Sequence, residues 1–361
     1  MATNVDLLKR LCLVPGVPGR EERVRALIEK ECKGLFDEMS TDAMGNLICR
    51  RGPRGKGGTP AKAAKSGKRA TRVSLLCHMD QIGFYVRYID DKGFIRVNNA
   101  GGFDTRNLFS RRMTLVTEGG DLPCVMNPAG RPVHIASDED KKKIPDIKDI
   151  MIDTGLSAKE VKAKVKIGDY AVYADPFMQV GNKAVCQAMD NRVACWLGIE
   201  AIREIDKSKA AHDCEIYVLF TTQEEVGLRG AKTVSHIVDA DIAIGIDVTL
   251  ACDTPGVPID ESVTEHGKGF GLHLMDSSFI SDYKLAAEVE AIAKKRRIPY
   301  QRTILMRGGQ DGAAGQQSGR GARAVGIVVG TRYIHTTTEM IDLRDLQAAS
   351  DVLAAWIPTI A

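Results

Sequence analysis

Long hydrophobic runs are missing from this sequence of 361 residues. No apolar stretch approaches the roughly 20 residues that a helix needs to span a bilayer. The N-terminus (MATNVDLLKRLCLVPGVPGREER) has no apolar signal core and soon becomes charged, which is unlike a secretory signal. We therefore expect a cytoplasmic protein that has no membrane partner.

Paired cysteine motifs are missing as well. The nine cysteines are scattered along the chain, they are odd in number, and none forms a CxxC pair. This arrangement argues against a disulfide framework and against a zinc ribbon. We expect reduced thiols that pack as small hydrophobic side chains.

Acidic residues are absent from one segment, residues 51–72, which holds eight basic residues. The segment is rich in glycine, proline and alanine and has no apolar period, so burial would not offset its ordering entropy. We predict a basic flexible loop. A contact with nucleic acid or with another acidic partner is an alternative. Because the segment has no aromatic side chain for base stacking, nucleic acid is not the expected partner.

Apolar strands alternate with helices towards both ends of the chain. Continuous apolar strands of this kind are typical of a sheet that is covered by helices on both faces. The predicted strands are 46–50, 73–77, 215–221, 242–248, 301–305 and 324–329, and the predicted helices are 4–12, 20–33, 190–205, 282–296 and 343–356.

The middle of the chain has a different character. Residues 83–174 contain short alternating runs, such as FYVRYI and RMTLVT, between glycine, aspartate and proline turns. Such runs indicate a small β-rich domain. The simplest organisation is an α/β domain formed by residues 1–80 and 176–361, interrupted by an inserted β-rich domain at residues 81–175.

Histidines and carboxylates recur where the predicted strands end. In an open α/β sheet, functional groups gather beyond the carboxyl ends of the strands. Each residue also has an ordinary structural explanation, since Asp190 could cap a helix and paired glutamates are common on wet surfaces. The candidate residues are His78, Asp80, Asp190, Glu224, Glu225, Asp247 and His335.

Two histidines and several carboxylates together form a mixed nitrogen and oxygen ligand set, which suits zinc, cobalt or manganese. The glutamate pair has a more specific use, because adjacent side chains in an extended segment diverge. One glutamate can bind a metal while its neighbour acts on the water there. Asp80 lies two residues from His78, where its carboxylate could orient the imidazole; a simple turn residue is the alternative.

Seven segments, taken in chain order, resemble one family of dinuclear metallopeptidases. This family holds glutamyl aminopeptidase and the tetrahedral (TET) aminopeptidases, and some of its members are labelled endoglucanase. The matching segments span nearly the whole chain. They are CHMDQIGF (77–84), AMDNRVACWLGIEAI (188–202), TTQEEVGLRGA (221–231), IGIDVTLACDTPG (244–256), GKGFGLHLMDSS (267–278), GGQDGAA (308–314) and TRYIHTTTEMIDLRD (331–345).

The resemblance implies a ligand set for two divalent metal ions per subunit. Zinc is the first expectation, with cobalt or manganese as alternatives. Asp190 would bridge the two ions. His78 and Glu225 would complete one site, and Asp247 and His335 would complete the other.

Two catalytic roles follow from the same resemblance. Glu224 would be the general base for a water activated by the two metals, and Asp80 would orient His78. The sequence departs from the usual family pattern at Asn191 and Gln81, where family members often carry acidic residues. Neither departure removes a predicted ligand.

The resemblance also implies an α/β/α sandwich of the phosphorylase/hydrolase-like type with an inserted, PDZ-like β-barrel. That insert would build homodimers, which can assemble into dodecamers. The expected function is a metal-dependent aminopeptidase that acts on the N-terminal residues of peptides. One alternative is a polysaccharide hydrolase of the endoglucanase type, which would use two carboxylic acids and no metal. The other is an inactive, oligomeric binding protein. The complete ligand set argues against both.

Overall fold

The computed structural model describes residues 3–60 and 69–361, which form one mixed sheet with its helices and one closed barrel. The strands are β1 (Glu38–Thr41), β2 (Leu47–Arg51), β3 (Arg72–His78), β4 (Gly83–Ile89), β5 (Ile95–Ala100), β6 (Arg111–Thr117), β7 (Gly120–Pro128), β8 (Ile150–Asp153), β9 (Tyr170–Tyr173), β10 (Met178–Val180), β11 (Lys183–Val185), β12 (Glu215–Thr221), β13 (Ile242–Leu250), β14 (Phe270–Met275), β15 (Tyr300–Ile304), β16 (Arg323–Arg332) and β17 (Met340–Asp342). The α-helices are α1 (Val5–Leu13), α2 (Glu22–Cys32), α3 (Asp138–Lys142), α4 (Ala158–Lys164), α5 (Met189–Ser208), α6 (Arg229–Val238), α7 (Tyr283–Arg296), α8 (Asp311–Gln317) and α9 (Leu343–Trp356).

Four parallel strands form the centre of the sheet, in the order β12, β3, β13 and β16. Successive side chains of a strand point to opposite faces. Leu75 joins a hydrophobic core that includes α1, α2, α5, α7 and α9, whereas Leu76 joins a second core that includes α6 and α8. Helices therefore cover both faces, and the predicted α/β/α sandwich is confirmed.

Strands β4 to β9 close into a barrel in the order β4, β5, β8, β7, β6 and β9. All of their pairings are antiparallel. The barrel has its own core, which includes Phe84, Leu115 and Ile152. The chain enters the barrel after β3 and returns to the sheet at β10. The predicted combination of an α/β sheet with a small inserted β-barrel is therefore confirmed, and the barrel strands lie within residues 81–175.

Two further sequence expectations concern helices and cysteines. Within the described ranges, no helix is both long enough and apolar enough to cross a bilayer. The nine cysteines are unpaired, and all of them except Cys252 are buried. The buried thiols thus pack as small hydrophobic side chains, as the sequence predicts.

Several elements beside the central strands were not predicted. Strand β14 includes Gly271 and follows two other glycines, so its sequence resembles a turn more than a strand. Strands β11 and β17 have three residues each, which is too short for an alternation pattern to be recognised. Helix α6 begins after Leu228, whose side chain provides no cap, so the usual start signal is missing.

The predicted basic loop at residues 51–72 needs a correction at its ends. Arg51 is the last residue of β2, and its buried side chain forms an ion pair with the partly exposed Asp206. Arg54 is also buried, and its Nη2 lies 2.5 Å from Asp37 Oδ1. Arg72 is the first residue of β3. These arginines are fixed because each finds a partner or a strand neighbour. Residues 61–68 of this segment lie outside the described residues.

A fully buried guanidinium, that of Arg192, connects the N-terminal helix to the end of β3. It donates hydrogen bonds to the carbonyl oxygens of Leu11 (2.5 Å), Met79 (2.7 Å) and Val14 (2.9 Å), and to Gln81 Oε1 (3.1 Å). A buried carbonyl oxygen without a donor destabilises the folded state. Arg192 therefore holds the segment that follows β3 against the rest of the core.

We predict that Arg192→Leu lowers the free energy of unfolding by about 1–3 kcal/mol, because buried acceptors lose their donor. Urea denaturation followed by circular dichroism measures the change. Arg106→Leu is the matched control, since Arg106 is 70% exposed and pairs locally with Asp104; it should change stability by less than about 0.5 kcal/mol. An Arg192→Leu protein as stable as the wild type would refute this role.

Candidate metal centre

The parallel strands bring the predicted site residues to one edge of the sheet. His78 is the last residue of β3, and Asp247 lies in the second half of the neighbouring β13. Glu224 and Glu225 follow the end of β12, and β12 is the other neighbour of β3. Because these strands run in the same direction, their carboxyl ends meet at that edge.

Asp190 and His335 complete the cluster from outside the three strands. Asp190 is the second residue of α5, and His335 lies beyond the end of β16. Asp190 Oδ1 lies 3.1 Å from His78 Nε2, and Asp190 Oδ2 lies 3.4 Å from His335 Nε2. The two oxygens of one carboxylate therefore face two different histidines.

Distances divide the cluster into two groups that share Asp190. One group contains His78, Asp190 and Asp247, and the other contains Asp190, Glu225 and His335; within each group the ligand atoms lie within 4.8 Å of one another. His335 Nε2 is 3.4 Å from Glu225 Oε2. The resemblance implied a pairing of His78 with Glu225, and these two residues do lie close together, in a group with Glu224 that does not include Asp190. His78 groups with Asp247 because the two residues lie on adjacent strands.

Glu224 stands beside both groups. Its Oε2 lies 3.8 Å from His78 Nε2, and His78, Glu224 and Glu225 also form a set of mutually close ligand atoms. The Glu224 side chain is 12% exposed. It also lines the cavity above the cluster, so Glu224 can reach a molecule that binds there.

The donor set fits divalent metal ions. Glu225 Oε1 is buried and has no hydrogen-bond partner among the described residues. A buried carboxylate oxygen normally has a partner, so its absence here is consistent with a metal ligand position. Imidazole nitrogens together with carboxylate oxygens suit zinc, cobalt and manganese.

Crowding of charge shifts the protonation of the two histidines. Burial lowers the pKa of His335, but its hydrogen bonds with Asp190 and Glu225 raise that pKa more, to about 12. Burial also lowers the pKa of His78, yet the charge of Glu224 and the contact with Asp190 hold it well above its ordinary value. Without metal, both imidazoles therefore keep a proton at neutral pH.

Burial has the opposite effect on two carboxylates of the cluster. It raises the pKa of Glu224 well above the ordinary value, and the neighbouring charges of Asp247 and Glu225 raise it further. It also raises the pKa of Asp247. Like charges that are removed from water favour protonation of some of the group. The cluster therefore needs added positive charge in order to be fully ionised.

Asp80 lies behind the cluster and is completely buried. Its Oδ1 accepts a hydrogen bond from the Glu224 amide (3.0 Å), and its Oδ2 accepts one from the Glu225 amide (3.1 Å). His78 Nδ1 lies 3.0 Å from the Asp80 carbonyl oxygen and 3.5 Å from its carboxylate. The predicted contact with His78 thus runs mainly through the backbone, and the Asp80 carboxylate fixes the glutamate pair.

Two supporting residues were not identified from the sequence. Glu339 accepts hydrogen bonds from the amides of His335 (2.7 Å) and Asp190 (3.0 Å). Asn191 donates from Nδ2 to Asp247 Oδ1 (2.9 Å). Glu339 lies four residues after His335 in the segment TRYIHTTTEMIDLRD (331–345), and this position is the signal that could have identified it. Asn191 was noted only as a departure from the family pattern.

Comparisons with known proteins give a family match and several similar structures. Residues 59–352 match the M42 glutamyl aminopeptidase family. The chain is similar to an aminopeptidase from Desulfurococcus kamchatkensis, with 32% identity, a TM-score of 0.89, and 98% of this chain and 94% of that chain covered. It is similar to the lysyl aminopeptidase of Pyrococcus furiosus, with 30% identity over 94% of this chain and 93% of that protein.

A third similarity concerns a protein whose assembly is described. The TET peptidase of Pyrococcus horikoshii can assemble into a tetrahedron or a large octahedral shell. It shares 30% identity with this chain, with a TM-score of 0.83, and the match covers 97% of this chain and 98% of that one.

The raised histidine pKa values predict a pH-dependent metal affinity. In the metal-free protein His78 and His335 hold protons, and a metal ion must displace them. Affinity for Mn²⁺ should therefore fall as pH decreases, by about tenfold per pH unit for each proton released. Isothermal titration calorimetry in buffers of different ionisation enthalpy gives both the affinity and the number of protons.

Two variants distinguish a histidine of the cluster from a histidine elsewhere in the chain. His335→Gln should reduce the number of released protons, while His134→Gln, at an exposed position, should leave it unchanged. An affinity that stays constant between about pH 6 and pH 8 would contradict the displacement of protons.

Proposed function

Because the chain belongs to the M42 glutamyl aminopeptidase family, we propose that the cluster at its strand ends is a two-metal centre that removes N-terminal residues from peptides. The family makes the protein a hydrolase of the exopeptidase type. One observation carries the proposal of two metals. Each oxygen of the Asp190 carboxylate faces a different histidine, at 3.1 Å and 3.4 Å, which is the arrangement that a bridging ligand needs.

Each half of the proposed centre has its own ligands. Asp190, His78 and Asp247 would hold one ion, and Asp190, Glu225 and His335 would hold the other. This assignment follows the two groups of close ligand atoms that share Asp190, whereas the resemblance implied a pairing of His78 with Glu225. Zinc, cobalt and manganese all accept such ligands, and we propose zinc first.

The metals supply Lewis acidity and a lowered pKa for water when they are bound. Glu224 performs the proton transfers. Its carboxylate accepts a proton from the attacking water and then delivers that proton to the nitrogen of the departing amine. The position of Glu224 supports this role, because its carboxylate lines the cavity and its Oε2 lies 3.8 Å from His78 Nε2, beside the proposed ligands. Asp80 keeps Glu224 in place through its amide.

We further propose that the protein forms homo-oligomers through the barrel domain at residues 81–175, and that it acts in the cytoplasm. The barrel region has exposed apolar side chains at Val133 (65%), Ile135 (70%) and Ile144 (62%). Grouped exposed apolar residues commonly mark association surfaces. The assembly of the related TET peptidase into closed shells supports the same proposal.

The two glutamates provide the sharpest test of the mechanism. Glu224→Gln should retain both metals but reduce kcat on aminoacyl-p-nitroanilides by about 10²–10⁴-fold, the usual contribution of an acid–base group. Glu225→Gln is the matched control, because it should lose metal from the half-site that contains His335. Metal content by plasma mass spectrometry and kcat are measured on the same samples.

Two results would refute the assignment. A Glu224→Gln protein that holds both metals and keeps a near-normal kcat would show that Glu224 is not the general base. Cleavage of cellulose that is insensitive to chelators, without any aminopeptidase activity, would favour the polysaccharide hydrolase, since that mechanism needs no metal.

A further inference from the structure

A cavity of about 450 Å³ lies directly above the cluster of site residues. Its floor is formed by the six ionisable residues of the proposed centre. Its walls contain glycines, two hydroxyl side chains and a set of aliphatic side chains. Apart from the floor, no charged residue lines this cavity in the described part of the chain. The aliphatic residues are Leu228, Val248, Leu250, Leu305 and Ile334.

These aliphatic walls come from separate parts of the fold. Val248 and Leu250 belong to β13, and Leu228 precedes α6. Leu305 follows β15, and Ile334 precedes His335. All five keep some exposure to solvent. Val248 and Leu228 also pack against the protein's hydrophobic cores, so Leu250, Leu305 and Ile334 are the freest of the five to contact a ligand. Ligand sites typically combine apolar walls of this kind with a few polar groups.

The hydroxyl groups of the wall offer little for a charged ligand. Ser278 Oγ already donates to Asp276 Oδ1 at 3.0 Å. Thr249 Oγ1 is buried and has no hydrogen-bond partner among the described residues. A hydroxyl can donate one hydrogen bond and accept up to two, but it does not neutralise a carboxylate or an ammonium group.

We infer that this cavity receives the side chain of the substrate's N-terminal residue and selects an uncharged aliphatic one, of the size of leucine or methionine. The inference rests on the proposed aminopeptidase function. A buried charge without a partner is strongly unfavourable, whereas each methylene placed against apolar walls gains about 0.8 kcal/mol, or about fourfold in affinity. Leu250 and Leu305 are the specificity-determining residues.

Two arginines adjoin this wall in sequence, Arg229 directly after Leu228 and Arg307 between the lining residues Leu305 and Gly308. Arg229 is exposed and does not line the cavity. Arg307 is exposed and is not among the residues that line the cavity. An acidic substrate would need such a cation inside the cavity. Arg307→Met should therefore leave the order of substrate preference unchanged.

The test compares kcat/KM of the full-length, metal-loaded protein for the p-nitroanilides of leucine, methionine, alanine, glutamate and lysine. The leucine and methionine substrates should exceed the alanine substrate by at least about tenfold, because each side chain places three more heavy atoms against the apolar walls. The glutamate and lysine substrates should be weaker still. Competition by free leucine, methionine, glutamate and lysine should give inhibition constants in the same order.

Charge introduced into the walls should change the preference. Leu305→Arg should raise kcat/KM for the glutamate substrate relative to the leucine substrate, and Leu250→Asp should do so for the lysine substrate. Met306→Ala is the matched control, because Met306 is 91% exposed and does not line the cavity. The wild-type comparison stands even if a charged variant fails to fold.

Outcomes separate this inference from the proposed function. A wild-type preference for glutamate or lysine would overturn the aliphatic selectivity while leaving the aminopeptidase activity in place. Loss of cleavage of the glutamate substrate in Arg307→Met would also overturn the aliphatic selectivity. No hydrolysis of any of the five substrates by protein that holds two metals would overturn the proposed function itself.

Discussion

Mutual repulsion among four carboxylates at the edge of the sheet is the constraint on which the rest of the site depends. Asp190, Glu224, Glu225 and Asp247 share a small, largely buried space. Like charges removed from water cannot all ionise unless positive charge is added. In the metal-free protein, proton-bearing His78 and His335 supply part of that charge. Divalent ions would supply it more completely, which links metal binding to the electrostatics of the fold.

The same repulsion explains why the backbone around the cluster is so firmly held. Asp80 binds the amides of both glutamates, and Glu339 binds the amides of Asp190 and His335. Each of these two buried carboxylates therefore connects two separate segments of the site. Side chains are held in position against a repulsive force only when their backbones are fixed. Arg192 adds a further link behind Asp80, through the carbonyl oxygen of Met79.

Prediction from the sequence succeeded where a local pattern carries the information. Strands β3, β12 and β13 are continuous apolar segments, and their polar residues follow directly, so the edge of the sheet could be inferred. An α/β domain with an inserted β-rich domain follows from the change of pattern after residue 83, and the family resemblance implied that the insert is a barrel. Short strands such as β17 have too few residues to show an alternation of apolar and polar side chains. Strand β14 could not be recognised because the glycines in and before it resemble a turn.

What could not be predicted depends on three-dimensional neighbours. One partner of Glu339 is the backbone amide of Asp190, which lies 149 positions away in the sequence, and no residue pattern reveals this contact. The grouping of His78 with Asp247 follows from the adjacency of β3 and β13, which strand order alone decides. The pairing of the buried Arg54 with Asp37 likewise could not be predicted, because the composition of this segment is that of an exposed basic loop. The sequence and the family resemblance predicted the proposed ligands, but topology determines which of them lie close together.

The central claim is that one carboxylate, that of Asp190, joins two metal sites. The most direct measurement is the metal content per subunit of wild-type protein and Asp190→Ala, after dialysis with manganese and removal of the free ion. The account predicts about two ions in the wild type and close to none in the variant, since both halves lose a shared ligand. A variant that folds and still holds two ions would contradict it.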